Sequence, residues 1–430
     1  MSQSYEPLSG QTVDRQKPAA RPAPALWERI ALWVSYGAAL LYTYCDISAY
    51  QGGTAALAAF ALILTVGTEL VCRKQKRSWE SYVWLGCLWV IVAGCLMGRN
   101  QVWGEKAWLF LHLFAVYYVL VRSGRLLEGE TGRFFLLDGL NALIVFPLKR
   151  LFLRAQVLWD TLACAMRPKG KDGGYGRLGT VAAILVAMLL FWGALALLSA
   201  ADATFDRVLG GLIRRIRIDH MGEFVLRLMV SLPVGAYLYG LVAGTQRESP
   251  ALLAQRGSSI LAGMSALRRV PSGVWTGLMA GFVLLYMVFF GIQGGYLFGA
   301  FTHTLPADFT VAQYARQGFF ELCWIVGLNF TLLAAVMASG SQPLRRHKPA
   351  KIMATILLAQ CMLFALIAFS KLYLYISCFG FTPLRLQSSW LVTVIAAGCL
   401  ASLYGLWSGR KVSGKWLLFS AVSLALLHLV

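Results

Sequence analysis

The chain has 430 residues, 58% of them hydrophobic and only 13% charged, with a formal net charge of +20. Soluble domains carry about 25% charged residues, so this composition excludes an ordinary water-soluble fold. A surplus of Lys and Arg alone would suggest nucleic acid, but repeated apolar runs near 20 residues set the first constraint and point to a bilayer.

Residues 1–26 are polar and bear Pro7, Pro18, Pro22 and Pro24 with basic Arg15, Lys17 and Arg21. They lack the early apolar core of a signal peptide and read as a disordered cytoplasmic tail. Apolar runs then follow near 28–46, 54–72, 80–98, 106–122, 178–200, 222–243, 272–294, 315–338, 351–370, 387–408 and 416–430. A helix crosses about 30 Å of hydrocarbon with about 20 residues, so these are read as about eleven spans, within a range of ten to twelve. The expected fold is an all-α polytopic bundle. Four helices fill 27–122, a basic cytoplasmic or interfacial segment fills 123–177, and seven helices fill 178–430. The final run of 15 residues is only about 22 Å long as a helix and barely spans.

Charge placement orients the bundle. With the N-terminus inside, 29 of the 39 Lys and Arg fall on the cytoplasmic side, and the reverse orientation fails. The basic surplus is therefore read as an orientation signal and a grip on anionic lipid, with no nucleic-acid partner and a bacterial cytoplasmic membrane as the location. Residues 138–166 place Lys149, Arg150 and Arg154 among Leu, Phe and Trp at helical spacing. This suits either a helix lying on the membrane surface or a hairpin packed under the bundle. Residues 201–221 break the trend, with Arg214, Arg215 and Arg217 on the outer side, partly balanced by Asp202, Asp206 and Asp219.

Two outer loops carry helix-start signals. Thr310 followed by Gln313 reads as a capping box, and Thr382 followed by Pro383 as an N-cap with a first-turn proline. Each follows a phenylalanine and precedes an arginine, Arg316 or Arg385, which hints at an internal duplication.

Ionisable groups inside spans are costly and are the first functional candidates. Glu69 lies one turn before Arg73, which suggests an interfacial ion pair. Glu223 and Arg227 are spaced i, i+4, with His220 on the same side; they form either a self-neutralising pair or a polar site facing a cavity. In the run 308–321, helical spacing aligns Tyr314, Gln317 and Glu321. Glu321 has no basic residue one turn away, so its carboxylate needs a partner from another helix or a proton. Lys371 or Arg385 can supply that partner, and Asn329 adds an amide deeper in the span. The cluster Tyr314, Arg316, Gln317, Glu321, Lys371 and Arg385 is a candidate ligand site, with an interhelical polar clamp as the competing reading.

The nine cysteines contain no C-x-x-C pair and read as small hydrophobes. The five histidines are scattered without metal-ligand spacing. A P-loop, a zinc H-E-x-x-H motif, a nucleophile elbow and a complete nucleotide fingerprint are all missing, so neither catalysis, a cofactor nor a metal is expected.

Three stretches, Ala201-Asp202 through Phe205, Tyr314 through Leu322 and Gly380 through Leu386, resemble an uncharacterised bacterial integral membrane family, domain of unknown function 4153/4173. The resemblance covers about 175–430 and implies a multi-spanning cytoplasmic-membrane protein without an established activity. Transport or permeation of a small solute or lipid is the leading expectation. The alternative is a non-transporting sensor, regulatory or envelope-accessory protein, suggested by the long basic segment 122–177.

Overall fold

The computed structural model describes residues 24–47, 53–98, 102–103, 106–165, 186–187, 189–190, 221–302 and 319–430. Residues 1–23 of the anticipated tail, all of the span at 178–200 but 186–187 and 189–190, the segment 201–220 and the capping box at 310–313 lie outside them. The described residues are helical, apart from turns and one isolated bridge between Val270 and Gly340.

In chain order the helices are α1 (Leu26–Ile47), α2 (Gly53–Val71), α3 (Trp79–Leu96), α4 (Ala107–Arg122), α5 (Phe135–Leu140), α6 (Phe146–Lys149), α7 (Leu153–Ala165) and α8 (Met221–Tyr239). They continue with α9 (Pro250–Ala266), α10 (Ser272–Thr302), α11 (Phe319–Ser339), α12 (Lys348–Phe379), α13 (Pro383–Ser408) and α14 (Ser413–Leu426). Two π segments interrupt the series, Asn141–Val145 before α6 and Gly240–Gly244 after α8. Seven helical stretches among the described residues are long and apolar enough to cross a membrane, and they match seven of the expected spans. Ala107–Arg122 and Ser413–Leu429 are apolar but shorter.

The chain divides into two compact units. The smaller comprises 1–29 and 155–218, of which the first turn of α1 and most of α7 are described; there the Glu28 carboxylate accepts from the Ala25 N–H at 2.9 Å. The larger comprises 30–154 and 219–430. Its core is centred on α12, whose Leu357, Phe364 and Ile367 are fully buried and which packs against α10, α11 and α13. A second group, α2, α3 and α4, packs around Leu88, Ile91 and Leu111 and is joined to the first through α14 lying on α3. That joint is close: a Cβ on Gly94 would run into the backbone of His428, so only glycine admits this helix.

Local chemistry sets several ends. Ser78 caps α3 by accepting from the Ser81 N–H, and the His347 ring caps α12 by accepting from the Ala350 N–H at 3.3 Å. Thr382 and Pro383 open α13 as their pattern predicts, although the threonine side chain makes no cap bond. Gly380 and Gly409, both at φ +74°, close α12 and α13 in a backbone region that favours glycine.

Several expectations are revised. The apolar run near 272–294 is exceeded, because α10 continues to Thr302. The apolar run near 351–370 is likewise exceeded, because α12 continues through Tyr373 to Phe379. That helix of 32 residues is about 48 Å long and outreaches the hydrocarbon layer. Residues 250–266, taken as loop, form α9, opened by Pro250 at its first position.

The basic loops gather at one end of the larger unit. Gln75 donates to Gln246, and Arg125 Nη2 donates to the Gln246 carbonyl at 3.2 Å. Gly257 of α9 abuts the Leu127 carbonyl, while Lys411 lies 3.6 Å from both Glu128 and Glu130. Arg345 donates to the Leu406 carbonyl at 3.2 Å, and the Val270–Gly340 bridge joins the two remaining loops. At the opposite end Gln387 donates to the Val102 carbonyl, and Trp103 packs on Trp390 and His428.

Candidate functional site

Of the residues singled out in the sequence, Tyr314, Arg316, Gln317 and His220 lie outside the described residues. Glu223 falls in the first turn of α8, and Arg227 sits half-buried one turn later. The remaining four are described. Lys371, about 12 Å from the end of α12, is fully buried, and the Glu321 carboxylate acts electrostatically on its ammonium. Glu321 itself is exposed, at the edge of the α11 face whose Leu322, Val326, Asn329 and Val336 are buried. The pair thus joins a buried cation to an accessible anion. Arg385, the other partner considered, turns back on its own segment: it donates to the Phe379 and Gly380 carbonyls and lies over the Tyr375 ring at 4.2 Å.

Asn329 belongs to a separate polar seam inside the core. Its Oδ1 accepts from the Tyr286 hydroxyl of α10 at 2.9 Å, and it is fully buried. One helix over, the buried thiols of Cys361 and Cys399 are hydrogen-bonded to each other. Gln360 donates to the Val283 carbonyl at 3.0 Å. These bonds cross α10, α11, α12 and α13 and fix their register in a layer otherwise filled by aliphatic and aromatic side chains.

The densest polar network lies at the basic end. Glu69 was expected to pair with Arg73; instead Arg73 is exposed and Glu69 meets the next helices. Its Oε1 accepts from the Tyr118 hydroxyl at 2.6 Å and lies 3.3 Å from Arg77 Nη2, and its Oε2 accepts from Arg122 Nε at 2.9 Å. Arg122 also donates to the Cys72 carbonyl at 3.1 Å, and its side chain is only 5% exposed. Gln246 donates to Cys72 Sγ at 2.7 Å; burial pushes that thiol up to about 11, so it is neutral at pH 7. Sequence spacing pointed to the neighbour on the same helix. The actual partners lie 49 and 53 residues away, a separation that periodicity does not encode.

The segment after α4 folds back against this end. Glu80 accepts both the N–H and the hydroxyl of Thr131, at 3.0 and 2.6 Å. Asp138, 1% exposed, accepts from the Leu127 N–H at 2.9 Å, and burial raises its carboxyl to about 6. Within 138–166, residues 138–154 pack against α8 and the turns beside it. Lys149 reaches the buried Glu248 at 2.8 Å, and Arg154, 5% exposed, donates to the Leu232 carbonyl at 2.9 Å and lies over Tyr36 at 3.7 Å. Tyr237 donates to the Leu143 carbonyl inside the first π segment at 3.0 Å, while the second π segment passes so close to Pro147 that Gly240 has no room for a Cβ. Paired π segments were not foreseeable, because their wide turns leave no periodic trace.

Among the described residues no three or more His, Cys, Asp or Glu side chains are grouped to hold a metal. Apolar helices of spanning length, basic loops collected at one end and charged groups resolved by pairing define an all-helical membrane protein. Residues 85–430 match the model of the family described as Domain of unknown function (DUF4153), and the chain belongs to that family. The match begins within α3, well before the segment that carried the sequence resemblance, so α4 and the basic segment are part of the family's domain. No curated protein and no solved structure matches the chain.

Proposed function

We propose that this chain is a polytopic protein of the bacterial cytoplasmic membrane that moves a small solute or lipid, without catalysis or a bound cofactor. One observation carries the reading: a fully buried ammonium, Lys371, inside a span-forming helix, facing the exposed carboxylate of Glu321. A cation at membrane depth is costly, and such groups mark substrate or ion paths. An anion that opens to the surface while holding a buried cation is a natural exchange point for a charged substrate. In this reading the topology has about eleven spans, the basic end faces the cytoplasm and the N-terminus lies on that side, where basic loops meet anionic lipid.

Reconstituted protein in proteoliposomes tests it, with flux of candidate solutes and labelled lipids compared between the wild type, Glu321→Gln and Lys371→Met. The expected result is flux in the wild type that falls at least tenfold in both variants. Unchanged flux in Glu321→Gln removes the pair from the mechanism.

A second reading, a non-transporting sensor or accessory protein, is favoured by the ordered segment 123–154, tied down through Glu248, Leu232 and Tyr36. Exchanging its exposed residues Leu136, Leu148 and Phe152 for serine and comparing the proteins that co-purify tests it. An unchanged partner set counts against that reading.

A further inference from the structure

Buried polar atoms are nearly always hydrogen-bonded, so a cluster that is not calls for a ligand. Where α2, α4 and the stretch after the second π segment meet, four such atoms make no hydrogen bond among the described residues: Arg122 Nη1, Arg125 Nε, Gln75 Oε1 and Arg77 Nη2, the last ion-paired with Glu69 at 3.3 Å. Three are guanidinium donors, and Arg122 is more than nine-tenths buried.

The groups facing one another here do not neutralise. Glu69 serves both Arg77 and Arg122 with one carboxylate. Glu248, the nearest other anion acting on Arg125, is itself held by Lys149 at 2.8 Å and lies 3.7 Å from Arg150. Cys72, between Arg122 and Arg125, is a neutral thiol and adds no negative charge. Five cations thus face two carboxylates.

The geometry points to an oxyanion site at this junction: a phosphate group bound by Arg77, Arg122 and Arg125, with Gln75 Oε1 accepting from a ligand hydroxyl. Planar guanidinium forks suit phosphate because two parallel N–H groups meet two oxygens. The phosphate belongs either to an anionic glycerol-headgroup lipid or to the free inorganic ion, and the chemistry of the site is the same for both. The site is independent of Glu321 and Lys371, so it stands or falls separately from the transport reading.

Thermal unfolding of the full chain tests it. In detergent, inorganic phosphate is titrated against chloride at matched ionic strength. In nanodiscs, phosphatidylglycerol is titrated into phosphatidylcholine. Ligand that binds only the folded state raises Tm in a saturable way. The expected result is such a rise with an apparent affinity at least tenfold weaker in Arg125→Gln and unchanged in Arg73→Gln, whose side chain is exposed. A rise with phosphatidylglycerol alone identifies the headgroup as the source; a rise with phosphate as well admits the free ion. Should Arg125→Gln fail to fold, Arg125→Lys keeps the charge but loses the fork and is expected to weaken binding at least threefold. No rise with either ligand, or an equal rise in the Arg125 variants, overturns the site.

Discussion

At the basic end, Arg122 is held between Glu69 and the Cys72 carbonyl, with Tyr118, Gln246 and Arg125 completing a network drawn from three helices and two turns. At the opposite end, Trp103 stacks on His428 with ring centroids 6.0 Å apart, Trp390 meets Trp103 edge-on, and Arg385 of α13 caps the end of α12 and lies over Tyr375. One end is therefore bound by charge and the other by aromatic surface. Charged networks demand a particular partner for every group, whereas aromatic contacts tolerate repacking. The basic end should be the less forgiving of the two.

Substitution at Arg122 is the strongest way to break that contrast. Arg122→Ala leaves Glu69 without its buried partner and is expected to cost about 3–5 kcal/mol in thermal or denaturant unfolding. Arg385→Ala at the other end, a half-buried residue, is expected to cost about 1 kcal/mol or less. Equal losses would remove the distinction. Next in size, Gly94→Leu should prise α14 from α3 and cost at least about 1–3 kcal/mol, while Gly281→Leu, with open space around it, should stay within about 0.5 kcal/mol. Tyr286→Phe strands the buried Asn329 oxygen and is expected to cost about 1–2 kcal/mol.

The smallest change at neutral pH is expected from Asp138→Asn, which keeps an acceptor for the Leu127 N–H. Its signature is a pH slope. Burial raises the Asp138 carboxyl from 3.8 to about 6, so the folded chain holds this proton more tightly than the unfolded chain. Its contribution to stability is complete below pH 3.8 and is lost as pH rises through 6. Between those values the wild type should lose Tm relative to Asp138→Asn, and a parallel pair of curves would show that Asp138 does not titrate there.

Much of the helical frame was legible, because bilayer thickness fixes span length and the penalty for stray charge fixes loop placement. Runs such as 54–72 and 387–408 could hardly be anything else. Less visible were features set by contacts between distant segments. Hydropathy ends the ninth span at 370, yet α12 continues past the buried Lys371 because a packed neighbour satisfies what the bilayer would not. The α9 helix was hidden because its composition is too mixed to score as apolar, although Ser249-Pro250 marked its start. At the candidate site, the Glu321–Lys371 association is among the pairings that the sequence allows, while Arg385, the alternative partner, bonds to the end of α12, a contact that spacing does not reveal. The basic junction went unseen because Glu69, Arg122 and Gln246 are distant in sequence and share no motif.

That distance carries a consequence for how the protein is made. Arg122 and Arg125 emerge more than 120 residues before Gln246, whose side chain and carbonyl complete the junction. At about 5–20 residues per second, ribosomal synthesis leaves an interval on the order of ten seconds between them. Throughout that interval Arg125 lacks the Gln246 carbonyl and the Cys72 thiol lacks its Gln246 donor. The junction is therefore completed only once the end of the α8 segment has been made.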